Sequence, residues 1–164
     1  MKKMIITFLC GSIAITGFQS TYAQDDTVKE LPSITVSANT NVNARVEKAF
    51  TRTFPGSSNL RWYQVDKNFL VKFIKDDQEN RAVFSKSGSL VYHIKYGNEK
   101  NLPDDVRKLI KSTYFDQSIT RVLQITQDRR NIWSVSMEDP KDYIWVKVED
   151  MELQETERYQ KANN

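Results

Sequence analysis

Residues 43–73 read NARVEKAFTRTFPGSSNLRWYQVDKNFLVKF, and a change of period inside them decides the fold. Val46, Ala49, Phe50 and Phe54 recur at steps of three and four, with Arg45, Glu47, Lys48 and Arg52 opposite, which is a helix with one apolar stripe. Asn41 or Asn43 can cap its start, and Pro55-Gly56 stops it. The period then drops to two. Leu60, Trp62 and Gln64 share one face of a strand, and Phe69, Val71 and Phe73 share a face of the next. Beyond this stretch, Ala82 and Phe84 mark a third strand, and Leu90, Tyr92, Ile94 and Tyr96 a fourth. Turn signals separate the four at 66–68, 76–80 and 85–88.

The order then repeats. Leu102-Pro103-Asp104-Asp105 opens a second helix, with proline and two acids in the first turn, where fixed φ and the positive helix end favour them. Val106, Leu109, Ile110, Thr113 and Tyr114 form its stripe. Strand-like segments follow at 118–126, 131–138 and 142–149, with a short fourth at 151–156. Val46 and Val106, Phe50 and Ile110, Phe54 and Tyr114, and Gln64-Val65 and Gln124-Ile125 all lie 60 residues apart. An internal duplication accounts for this, with units at about 43–98 and 102–157. Helix then antiparallel meander, twice, predicts an α+β protein with one sheet, or two joined, and helices on one face. Trp62, Phe69, Phe73, Phe84 and Trp133 are expected in the helix–sheet layer.

The N-terminus reads as an address. Met1-Lys2-Lys3 is basic, residues 4–18 are apolar and uncharged, and Thr21 and Ala23 place small residues before a cleavage point after Ala23. Fifteen apolar residues are short for crossing a bilayer. Cys10 follows bulky Phe8 and Leu9 and is poorly placed for lipidation. A soluble periplasmic or secreted protein is expected. Residues 24–41 read as a flexible polar linker, within which residues 34–38 resemble the short box of outer-membrane transporters, although no barrel follows. Residues 42–158 form the domain, and 159–164 a polar tail.

Removing Lys2 and Lys3 takes 24 basic residues to 22 against 21 acidic, a net charge of +1 that gives nucleic-acid binding little support. The single Cys10 leaves with the signal segment, so neither a disulfide nor a thiol nucleophile remains. One histidine excludes a His-rich metal centre. His93 has no recognisable nucleophile or orienting partner, no G-x-S-x-G or H-E-x-x-H pattern occurs, and the acidic pairs 76–77, 104–105 and 149–150 lack the spacing of a calcium loop. No enzyme, no cofactor and no metal site is expected.

The Phe54-Pro55 helix end, Trp62, Phe69-Leu70-Val71-Lys72-Phe73, Ala82-Val83-Phe84, Gly88 and the Leu102-Pro103 helix start resemble exported PepSY-like domains. Those domains are related to the beta-lactamase-inhibitor-protein fold and occur in secreted proteins of Bacteroidetes-type bacteria. The resemblance spans about residues 43–156 and implies a curved sheet whose open face grips a protein partner. The characterised inhibitor carries a disulfide in each unit, which this chain lacks. Its contact residues have no counterpart here, so β-lactamase inhibition is not implied.

Strand alternation places Tyr63, Leu70, Ile74, Val83, Val91, His93, Tyr143 and Trp145 on that open face, among Arg61, Lys72, Arg81, Lys95 and Lys147. Tyr, Trp and Arg dominate binding hot spots. Tyr63, Leu70, His93, Tyr143 and Trp145 are therefore the candidate partner contacts. The expected function is a non-catalytic exported module engaging a protein or peptide of the cell envelope, with no nucleic acid and no stable membrane insertion. The alternative is a small-molecule or lipid carrier.

Overall fold

The computed structural model describes residues 36–38 and 41–162. The signal segment, its cleavage point, most of the linker and the last two residues lie outside the described residues. Helix α1 (Ala44–Thr53) starts where the Asn43 side-chain oxygen accepts the Val46 N–H at 3.0 Å. It buries Val46, Ala49 and Phe50 and ends at Phe54, whose N–H reaches the Phe50 carbonyl at 2.8 Å. Helix α2 (Asp104–Thr113) buries Val106 and Ile110 and ends the same way, with the Tyr114 N–H 2.9 Å from the Ile110 carbonyl. The closing residues share a backbone conformation, φ −127° and ψ 65° at Phe54 against φ −119° and ψ 60° at Tyr114. The pairs Val46 and Val106, Phe50 and Ile110, and Phe54 and Tyr114 thus occupy equivalent places on the two helices and at their ends.

The strands are β1 (Val36–Ala38), β2 (Ser58–Val65), β3 (Asn68–Lys75), β4 (Gln78–Ser85), β5 (Leu90–Gly97), β6 (Ser118–Gln127), β7 (Arg130–Glu138), β8 (Asp142–Glu149) and β9 (Glu152–Gln160). They form one antiparallel sheet in sequence order. The architecture is α+β, with each helix laid on the strands that follow it. Three hairpins close through two-residue turns with both residues at positive φ: Asp76-Asp77, Asp128-Arg129 and Asp150-Met151. That is the turn whose twist matches a hairpin. Gly88 takes φ +85°, and a Cβ there would lie 3.1 Å from the Arg45 carbonyl, so glycine lets the β4–β5 turn sit against α1.

Two separate cores result. Under α1, Phe50, Phe54, Phe69, Val71, Phe73, Ala82 and Phe84 pack together with partly buried Trp62. Phe50 meets Phe73 edge-on at 5.0 Å and Trp62 at 5.4 Å. Under α2 the core is Val106, Ile110, Tyr114, Val122, Trp133, Val135, Met137, Ile144, Val146 and Val148.

Four details differ from the sequence reading. Val36–Ala38, assigned to the linker, pairs antiparallel with the outer edge of β2, Val36 opposite Val65 and Ala38 opposite Tyr63. Gln78, Glu79 and Asn80, assigned to a turn, already belong to β4 because a two-residue turn suffices. β9 runs to Gln160 and takes in part of the expected tail. The fourth is the orientation of β5. His93, expected on the open face, lies on the helix side, opposite Ala82, its ring 4.7 Å from Phe54 and its Nε2 2.9 Å from Asn80 Oδ1. Lys95 lies on the same side, opposite Asn80. The cause is a bulge: Phe84 opposes Leu90, but Val83 opposes Tyr92, so one extra residue inverts the alternation. Leu90 follows the inner pattern; Tyr92, Ile94 and Tyr96 turn outward.

Candidate functional site

Residues directly opposed in an antiparallel pair share one side of the sheet. The row Trp62, Val71, Ala82, His93, Thr126, Asn131 lies on the helix side. The neighbouring row lies on the other, which neither helix covers: Arg61, Lys72, Arg81, Ile94, Ile125, Ile132, Glu149, Glu152. It takes one residue from each strand from β2 to β9. It passes from three cations through three isoleucines to two acids.

Flanking rows complete the surface. Tyr63, Leu70, Val83 and Tyr92 run beside it on one side, and Tyr96, Leu123, Ser134, Lys147 and Gln154 on the other. Ile94, Ile125, Ile132, Leu123, Tyr92 and Tyr96 are all half-buried. Antiparallel sheets with one covered face normally show a polar outer face. Here its centre is apolar.

The charges at the two ends are held differently. Arg81 donates to Glu79 at 3.1 Å and lies 4.7 Å over the Tyr96 ring; burial pushes the Tyr96 phenol up, and the guanidinium partly offsets this. Lys72 lies 5.3 Å over the Tyr63 ring, and no carboxylate lies within ion-pair distance of Lys72 or Arg61 among the described residues. At the far end Arg130 donates to both Glu149 oxygens at 2.6 and 2.8 Å, with Lys147 at 3.4 Å. These hydrogen bonds hold the Glu149 carboxyl down at about 2. A shallow cleft of about 280 Å³ opens beside the cations, lined by Asn59, Arg61, Lys72, Phe73, Ile74 and Glu79.

Of the candidate contacts, Tyr63 and Leu70 are directly opposed on the open face. Tyr143 and Trp145 are on that face in β8, where Trp145 meets Tyr159 edge-on at 5.6 Å and Lys161 lies 4.5 Å over Tyr143. The two pairs stand five strands apart, about 24 Å at the usual strand spacing. His93 is absent from this surface. Sequence alternation alone conceals the isoleucine strip that bridges the pairs, because it turns Ile94 inward and β6 is apolar on both faces (Val122 against Leu123 and Ile125). Among the described residues no group of His, Cys, Asp or Glu could hold a metal, and no helix is long and apolar enough to cross a membrane.

No protein-family model matches the chain, and no curated protein matches it. Solved structures do. A BLIP-like protein from Bacteroides fragilis NCTC 9343 is 15% identical with a TM-score of 0.62, over 76% of this chain and 90% of that one. A DUF2874 family protein from Bacteroides ovatus ATCC 8483 is 13% identical with a TM-score of 0.61, over 71% and 89%. A protein provisionally named as periplasmic, from Bacteroides eggerthii DSM 20697, is 12% identical with a TM-score of 0.60, over 74% and 90%. At these identities the likeness establishes the fold: this chain has the BLIP-like architecture.

Proposed function

We propose that the chain is a non-catalytic exported module, akin to PepSY-like domains, that holds a protein or peptide of the cell envelope on the open face of its sheet. One observation carries this reading. The strip Ile94, Ile125, Ile132 lies on the side away from both helices, bordered by Arg81, Tyr92 and Tyr96, with Tyr63 and Trp145 farther out on the same face. The strip is half-buried rather than fully exposed, and a contiguous apolar surface still open to solvent and edged by polar residues marks interaction sites, with Tyr, Trp and Arg the side chains that anchor them. Export draws support from the basic-then-apolar N-terminus and from the periplasmic designation of a structural neighbour. The carrier alternative needs a chamber between helix and sheet. Phe50, Phe54, Phe73 and Phe84 occupy that layer in one unit, and Ile110, Val135, Met137 and Ile144 in the other.

The test is crosslinked capture from envelope extract with the wild type, Ile125→Asp, and the helix-surface variant Lys108→Gln, compared at equal thermal stability. A partner retained by wild type and Lys108→Gln but lost by Ile125→Asp supports the open face. Equal capture by all three refutes it.

A further inference from the structure

The outer row places Arg61, Lys72 and Arg81 directly opposite one another on β2, β3 and β4. Like charges so placed destabilise a sheet. Among the described residues only Arg81 of the three is paired with a carboxylate, Glu79 at 3.1 Å; Lys72 rests on the Tyr63 ring and Arg61 is exposed. The cleft of about 280 Å³ opens beside Arg61 and Lys72, with Ile74 and the Arg81-paired Glu79 also on its lining. The next residues along the row are isoleucines, so this positive site adjoins apolar surface without a break.

Resting on the open-face reading above, we propose that the partner is acidic: a protein or peptide segment that sets carboxylates on the Arg61–Lys72–Arg81 row and apolar side chains on Ile94, Ile125 and Ile132. Guanidinium and ammonium groups whose own fold leaves them short of carboxylates gain most from an incoming carboxylate, and charge complementarity fixes the register of a complex. An anionic lipid surface fits less well. Glu149, held by Arg130 and Lys147, and exposed Glu152 stand on the same face beyond the isoleucines, and the Glu152 carboxylate opposes a uniformly negative plane. A segment whose acids are confined to one end avoids them.

Alternate residues of an extended peptide stand about 7 Å apart on one side, so a short strand laid along the row can match both zones. The probe is therefore the labelled nonapeptide Glu-Ser-Glu-Ser-Leu-Ser-Leu-Ser-Leu, with versions carrying Gln or Lys in place of Glu. Binding to the purified full chain is read by fluorescence anisotropy. The acidic peptide is expected to bind most tightly. Arg61→Gln/Lys72→Gln weakens it about fivefold or more, the scale of two partly exposed ion pairs. Raising salt from about 50 to about 500 mM has a similar effect through screening. The surface control Lys48→Gln/Lys108→Gln leaves it unchanged. Loss of binding in Arg61→Gln/Lys72→Gln will not reflect unfolding, since removing opposed like charges keeps or raises its thermal stability.

If the Gln peptide binds as tightly as the Glu peptide and Ile125→Asp abolishes both, the acidic partner is overturned while the open face stands. Acidic-peptide binding that survives every open-face variant overturns both. Preference for the Lys peptide, or no binding of any peptide, overturns the acidic partner alone. So does flotation with phosphatidylglycerol vesicles in place of peptide binding, which would make the row a lipid site.

Discussion

His93 lies under α1 with Nε2 2.9 Å from Asn80 Oδ1, and the Asn80 amide donates to the Gln78 carbonyl at 2.7 Å. Because that amide is committed, Asn80 Oδ1 accepts and His93 Nε2 carries the hydrogen. Burial, then the Lys95 ammonium, lower its pKa below the ordinary 6.5. As pH falls the unfolded chain takes up the proton first, so stability present above about 6.5 drains away below it. His93 is the only histidine in the chain. Thermal melts from about pH 7.5 to about pH 5 should therefore show a falling Tm that His93→Gln flattens. Lys72 gives a second expectation at this scale. Replacing it with Gln relieves the opposition to Arg61 and Arg81 and should leave stability unchanged or raise it by about 0.5 kcal/mol in urea titration.

Elements owe their ends to a few residues. The Asn43 cap satisfies the Val46 N–H, and Asn43→Ala should cost about 1 kcal/mol. The I′-type turns take aspartate first, which tolerates the left-handed region, but then Arg129 (φ +68°) and Met151 (φ +62°), which do so at a cost. Arg129→Gly and Met151→Gly should each stabilise by up to about 1 kcal/mol, read as a higher urea midpoint at an unchanged slope. Helices and most strands were legible at this scale, since both periods are local and turn residues punctuate them. The β5 face was not. A single bulged position reversed it, and no residue type announces a bulge in the way Pro55-Gly56 announces a helix end.

Over the whole molecule, two cores share one uninterrupted sheet, joined where β5 pairs with β6 over five residue pairs from His93–Thr126 to Gly97–Val122. Phe50→Ala and Ile110→Ala empty different cores, and each should cost about 3 kcal/mol or more. Because the β5–β6 ladder couples the units, each variant should still unfold in one transition by both near-UV and far-UV circular dichroism. Non-coincident curves would mean that the units unfold separately. Polarity across the open face belongs to this scale as well. Arg61, Lys72 and Arg81 are spread over 21 positions of sequence, and only hairpin register brings them side by side.

By itself the sequence determined the order of elements, the stripes of both helices, the buried alternation of β3, β4, β7 and β8, and the repeat every 60 residues. Each follows from spacing along one segment. Tertiary structure alone decided that Val36–Ala38 joins the sheet, that His93 faces the helices, and that cations, isoleucines and acids line up in one row. Those outcomes depend on which backbone groups pair across strands and on where one extra residue shifts the pleat. Such choices are settled between segments, and a side chain's own neighbours in sequence do not encode them.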